Sequence, residues 1–267
     1  MGALERNNVH VIGSGSSTLV FAHGFGCDQT MWRLLAPGFA QRFKVVLFDL
    51  VGSGGSELRA YDRHKYSSLQ GHADDVIEII EATGAGPAIF VGHSVSAMIG
   101  MLAGISAPGL FKGQVMIGPS PCYLNDGDYA GGFVRADIED LLATLDGNYL
   151  GWASNMAPAI MGAPDQPELG VELTNSFCRT DPEIARHFAR VTFTSDHRAD
   201  VLRHNAPTLI LQCSDDFIAP CSVGEYLHAQ WPQSSLRIVE NTGHCPHLSA
   251  PHACAEAITE FVRGFET

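Results

Sequence analysis

Short, mostly apolar runs alternate along this chain with longer stretches in which apolar residues recur every three or four positions. Val9 to Ile12, Thr18 to Ala22, Lys44 to Leu50, Ala88 to Val91, Gln114 to Ile117, Thr208 to Gln212 and Leu236 to Val239 are rich in β-branched and aliphatic residues. Each is bounded by Gly, Pro, Asp or Asn, which is the pattern of buried strands. The spacing between them predicts helices over Met31 to Ala40, Leu69 to Ala82, Val95 to Ala107, Ser222 to Gln230 and Pro251 to Phe265. Alternation of this kind predicts an α/β fold: a mostly parallel sheet with helices on both faces.

One region breaks the rhythm. From Pro119 to about Asn205 no buried strand is evident, and helical spacing covers Asp137 to Leu145, Tyr149 to Met161, Glu168 to Cys178 and Pro182 to Thr194. The chain therefore divides into a core of residues 1–118 and 206–267 and a helical insertion of residues 119–205. Tyr123, Phe133, Leu141, Trp152, Met156 and Phe193 are more apolar bulk than four short helices need to pack on one another, so some of them are expected to face a cavity beneath the insertion. For any single one of them, ordinary helix packing serves equally well.

Composition narrows the function. With 267 residues, 45% of them hydrophobic, the chain can bury a full core. Its net charge of -13 argues against nucleic acid and anionic membrane as partners, since both attract basic surfaces. No basic segment followed by an apolar one opens the sequence, and no apolar run approaches the length of a membrane span, so a cytoplasmic protein is expected. Seven cysteines, an odd number without C-x-x-C spacing, point to reduced thiols rather than a disulfide framework. Only His244-Cys245-Pro246-His247 resembles a metal site, and no second cluster supplies the ligands a closed zinc site needs. Gly52-Ser53-Gly54-Gly55 lacks the third glycine of a dinucleotide loop, and no Walker loop occurs. No cofactor or metal is expected.

Candidate chemistry lies at the ends of the predicted strands. Ala88 to Gly92 runs into Ser94 and then into a helix, with small residues two positions either side of the serine. Turning a strand into a helix over so few residues strains the backbone at the serine and holds its hydroxyl above the sheet edge. A serine so placed can attack a carbonyl, and the N–H of Val95 can help to hold the oxyanion. Ser96 stands where the last glycine of G-x-S-x-G is expected. The pentapeptide alone is a weak signal, but His244 follows the last strand through a Gly243 turn, and Asp215 and Asp216 follow the one before it. The order Ser, Asp, His along the chain is that of α/β-hydrolases and differs from those of chymotrypsin and subtilisin. His23-Gly24-Phe25-Gly26, after an early strand, offers the N–H of Phe25 as a second oxyanion donor, with His23 expected to brace the loop by a buried hydrogen bond.

The motifs His23-Gly24-Phe25-Gly26-Cys27-Asp28-Gln29, Gly92-His93-Ser94-Val95-Ser96-Ala97-Met98-Ile99-Gly100, Pro119-Ser120-Pro121-Cys122-Tyr123-Leu124-Asn125-Asp126, Gly131-Gly132-Phe133, Phe193-Thr194-Ser195-Asp196-His197-Arg198 and Gly243-His244-Cys245-Pro246-His247 resemble, nearly end to end, the RsbQ group of α/β-hydrolases and its plant relatives, the karrikin and strigolactone receptors. The resemblance implies an α/β-hydrolase core with a four-helix lid after the sixth strand. It implies Ser94 as nucleophile, Asp216, four residues before Pro220, as orienting acid, His244 as base, and Phe25 and Val95 as oxyanion donors. It also implies that Tyr123, Phe133 and Phe193 line the pocket, while Met156 and Ile218 sit where some relatives carry other apolar residues. A small apolar ester, lactone or butenolide-like ligand follows from it, as does a signalling role with a PAS-domain phosphatase as partner.

The chemistry expected is ester or lactone hydrolysis through an acyl-enzyme, or transfer of the acyl group to His244 in a receptor-like variant. A serine at the elbow argues against dehalogenases and epoxide hydrolases, which need a carboxylate there. A serine C–C bond hydrolase and a slow, ligand-gated receptor both remain compatible with the triad.

Overall fold

The computed structural model describes residues 1–265. Its sheet has seven strands: β1 (His10–Ile12), β2 (Thr18–Ala22), β3 (Lys44–Phe48), β4 (Ala88–His93), β5 (Phe111–Ile117), β6 (Thr208–Asp215) and β7 (Ser234–Thr242). They lie in the order β1-β3-β2-β4-β5-β6-β7, and only β1 runs antiparallel to its neighbour. The central strands β2 and β4 are buried along their whole length. Covering both faces of a strand explains why these read as continuous apolar runs instead of alternating ones.

The helices are α1 (Ala3–Arg6), α2 (Ala36–Phe39), α3 (Gln70–Thr83), α4 (Val95–Ser106), α5 (Arg135–Gly147), α6 (Tyr149–Met161), α7 (Pro167–Arg179), α8 (Pro182–Thr194), α9 (Arg198–Val201), α10 (Cys221–Gln230), α11 (Pro246–Ser249) and α12 (Pro251–Arg263). Alternate residues of the strands point to opposite faces. Val20, Val46, Phe90, Met116 and Ile210 pack with α3, α4 and α10, whereas Leu19, Val45, Ile89, Val115 and Leu209 pack with Trp32, Phe39 and α12. Each such fully buried side chain contributes on the order of 1.5–3 kcal/mol.

Two expectations shift. The helix expected over Met31 to Ala40 splits into a 3-10 turn at Gln29–Trp32 and the short α2. Pro37 has no N–H to bond back one turn, so a continuous helix cannot pass through it. Strand β6 continues beyond Gln212 to Asp215, which pairs with Thr242 of β7. These added residues are polar and end outside the apolar core, so no hydrophobic pattern marks them.

Helices α5 to α8 form the insertion, and counted along this chain they follow the fifth of the seven strands instead of a sixth. The two ends of the insertion are tied together where Cys122 bridges Asp196 and the His197 N–H donates to the Pro121 carbonyl. Its apolar cluster is separate from the two sheet-face clusters and includes Trp152, Leu173, Phe177 and Phe193. No helix among the described residues is long and apolar enough to cross a membrane.

Candidate active site

Ser94 sits between β4 and α4 with φ 55° and ψ -124°, a conformation that side chains rarely adopt. The crossing it makes explains Gly92: a Cβ there would lie 2.5 Å from the carbonyl oxygen of Ser96. The Ser94 N–H donates to Ile117 O of β5 at 2.8 Å, which anchors the turn to the neighbouring strand. The hydroxyl thus stands at the N-terminus of α4, where the helix dipole favours negative charge.

The loops after β6 and β7 bring the partners to the same edge. His244 Nε2 is 2.8 Å from Ser94 Oγ, and His244 Nδ1 is 2.7 Å from Asp216 Oδ2. A carboxylate can only accept, so Nδ1 carries the proton and Nε2 is left to accept the proton of Ser94. Asp216 is held in turn by the N–H groups of Ile218 and Ala219, which donate to its Oδ1 at 2.9 and 3.2 Å. Asp215 is exposed on the strand end, where its carboxylate accepts the Thr242 hydroxyl at 3.2 Å and does not reach His244.

The loop after β2 faces this row. His23 accepts the Leu50 N–H at Nε2 (3.0 Å) and donates from Nδ1 to Gly24 O (2.8 Å), so the ring braces the loop as expected from the sequence. The Ser96 hydroxyl donates to His23 O at 2.5 Å and ties the loop to α4. The N–H groups of Phe25 and Val95 hold no hydrogen bond among the described residues. Unpaired donors beside a nucleophilic hydroxyl suit an incoming oxyanion.

A small cavity of about 30 Å³ lies over Ser94 and His244, with Phe25, Tyr123, Trp152, Phe193 and Ile218 in its wall. The ring of Phe25 is surrounded by those of Trp152, Phe177, Phe188 and Phe193, with centroids 5.8–6.3 Å away. Burial pushes the Tyr123 phenol up to about 12, partly offset by the neighbouring Ser94 hydroxyl. Of the pocket residues expected from the sequence, Tyr123, Phe193 and Ile218 reach the cavity, whereas Phe133, Leu141 and Met156 do not. Phe133 stands behind Tyr123 with ring centroids 6.5 Å apart, and Leu141 and Met156 pack, half-buried, on the insertion's own cluster. In their place Ile160, Leu173, Phe177 and Thr192 line the wall, joined by Cys27 and Cys245. The stripe Leu169, Leu173, Phe177 at four-residue spacing was the available signal for α7; Thr192 carried none.

A larger groove of about 820 Å³ lies outside and shares Cys27 with the cavity. Its charged groups are already engaged: Arg33 pairs with Glu172 at 2.6 Å, Arg179 pairs with Asp28 at 3.0 Å, and the Asp49 carboxylate accepts from the Asn8 amide and the N–H groups of Gln29 and Gly55. His247 takes no part in either site: it lies between the rings of Trp32 and His93, 4.8 and 4.3 Å away, and burial pulls it down to about 3. Among the described residues no group of three or more His, Cys, Asp or Glu could hold a metal.

Residues 19–257 match the alpha/beta hydrolase family. The chain is 40% identical over 253 residues to the karrikin insensitive 2 receptor CA of Petunia hybrida, covering 94% of both chains. It is 39% identical over 254 residues to the strigolactone esterase D14 of Arabidopsis thaliana, covering 95% of both. The structure of a hydrolase from Oleispira antarctica superposes with a TM-score of 0.95 at 41% identity, covering 98% of this chain and 96% of that one. The chain belongs to the alpha/beta hydrolase family.

Proposed function

We propose that this chain hydrolyses a small uncharged carboxylic ester or lactone through an acyl-enzyme on Ser94. The observation that carries the reading is the unbroken hydrogen-bonded row Asp216–His244–Ser94, at 2.7 and 2.8 Å. His244 takes the proton of Ser94 as its oxygen attacks the carbonyl carbon, and Phe25 and Val95 donate to the oxyanion. His244 then protonates the leaving oxygen. A water deprotonated by His244 releases the acid and restores the serine. Asp216 keeps the imidazole in the required tautomer throughout.

The apolar wall favours an uncharged substrate, because an unpaired carboxylate buried there is costly. A volume of about 30 Å³ has room for a water molecule or two. The insertion therefore acts as a lid whose helices part to admit substrate and close to exclude solvent, while the end of α6 stays bonded to the His244 N–H. Turnover of p-nitrophenyl acetate by the intact chain, absent in Ser94→Ala, is the test; a variant as fast as the parent removes Ser94 from its role. A vinylogous diketone cleaved faster than the aryl ester would replace ester hydrolysis by C–C bond hydrolysis on the same triad.

A second reading has one observation behind it: relatives 37–40% identical are named as receptors. On that reading the hydrolysis is slow, and ligand binding changes the lid so that a protein partner, a PAS-domain phosphatase in the RsbQ-like case, can dock. Slow turnover combined with a butenolide-induced shift in melting temperature supports it, whereas fast multiple turnover with no shift supports the plain enzyme.

A further inference from the structure

We propose that His93 is a positioning residue for the general base: its ring holds the main chain of His244 and so sets the reach of the imidazole to Ser94. The inference rests on the hydrolytic reading above and adds a residue to it. His93 closes β4 one position before Ser94 and is 2% exposed. Its Nε2 lies 2.8 Å from the carbonyl oxygen of His244. A carbonyl only accepts, so Nε2 carries the proton and Nδ1 carries a lone pair. That Nδ1 is buried without a partner and abuts Gly24, where a Cβ would come within 2.6 Å of it. One ring thus fills the junction of three segments: the nucleophile elbow, the loop offering the Phe25 N–H, and the loop of the base.

The other side of the same residue is held from the insertion. The His244 N–H donates at 2.7 Å to the carbonyl of Ile160, near the end of α6. With its N–H fixed by the insertion and its C=O fixed by His93, His244 retains only its side-chain rotations, and Asp216 and Ser94 set those. His93 must stay neutral to do this. Its ring is 5.0 Å from that of His244, which becomes cationic as it takes the proton of Ser94, and a second charge there would oppose the transfer. Burial, with His247 and His244 beside it, holds His93 well below the usual histidine range.

Three substitutions separate this role from plain packing. The amide of His93→Gln reaches the place of Nε2, that of His93→Asn reaches only the place of Nδ1, and His93→Leu offers no donor. In the full chain we expect His93→Gln to keep kcat for p-nitrophenyl acetate within about threefold, and His93→Asn and His93→Leu to lose about tenfold or more with KM little changed, as misplacement of a catalytic group does. The downfield proton resonance of His244 Nδ1–H should move in His93→Leu and His93→Asn and be restored in His93→Gln. Folded Asn and Leu variants with parental kcat and an unmoved resonance overturn the inference, as does a Gln variant no better than Asn. Should His93→Leu fail to fold, the Gln and Asn pair decides. Ser94→Ala serves as the control: if it retains full turnover the hydrolytic reading fails, while the resonance still reports whether His93 positions His244.

Discussion

The carboxyl edge of the sheet and the underside of the helical insertion meet at one small cavity, and they are held by different forces. At the sheet edge every functional group is fixed by directional bonds: Ser94 by Ile117 and by its strained turn, Asp216 by two backbone N–H groups, His244 by Asp216. Across the cavity Trp152, Leu173, Phe177 and Phe193 are held by packing alone, ring against ring, as where Trp152 stacks on Phe177 at 5.6 Å. Hydrogen bonds set angles and distances to within tenths of an ångström, whereas apolar contacts set volume and tolerate substitution of similar size. Rate should therefore be governed from the sheet edge and selectivity from the insertion.

The largest effects should come from the edge. Ser94→Ala and His244→Ala are each expected to lower kcat at least about a thousandfold, because members of a triad act as a unit. Their circular dichroism should stay that of the parent, and a loss below tenfold for either breaks the comparison. Next comes the pair of adjacent acids. Asp216→Asn should lower kcat on the order of a hundredfold or more by allowing the wrong imidazole tautomer. Asp215→Asn, at an exposed carboxylate that meets the Thr242 hydroxyl and not His244, should change it by less than about threefold. The reverse ranking would shift the acid by one residue.

The insertion should act more gently. An acetyl ester is expected to be cleaved at least about tenfold faster than a succinyl ester of the same leaving group, since no Lys or Arg lines the cavity to pair with the extra carboxylate. A faster succinyl ester would mean that the wall is not apolar when open. Smallest of all, Phe193→Leu should raise the butanoyl-to-acetyl rate ratio by about fivefold with little loss of melting temperature, within the range a methylene or two is worth in an apolar pocket. Phe133→Leu should leave that ratio unchanged, because Phe133 stands behind Tyr123 and outside the cavity.

The same division explains what could be read from the sequence. Thr18–Ala22, Tyr149–Met161 and Pro182–Thr194 fall where the apolar spacing predicts them. The candidate triad was legible because each member follows the end of a strand; between the adjacent Asp215 and Asp216, though, strand position did not choose, and the resemblance did. The wall of the cavity was not. Each helix of the insertion carries an apolar face wider than the cavity, so spacing alone does not say which residue on it points at Ser94 and which at a neighbouring helix. Phe133, Leu141 and Met156 were expected inside on apolar bulk, Phe133 also on the family resemblance, and Phe177, buried against Gly26 and Phe25, took that place. Pro37 broke a predicted helix and the polar end of β6 outran its pattern for the reasons given above, both local rules that apolar spacing does not carry.

The central claim is that Ser94 is the nucleophile and that His244 activates it. An organophosphonate ester allowed to react with the folded chain tests it directly by intact mass and peptide mapping. A single adduct is expected, on Ser94, formed in step with loss of ester turnover, absent in Ser94→Ala and at least about a hundredfold slower in His244→Ala. An adduct on any other residue, or turnover that survives complete labelling of Ser94, contradicts it.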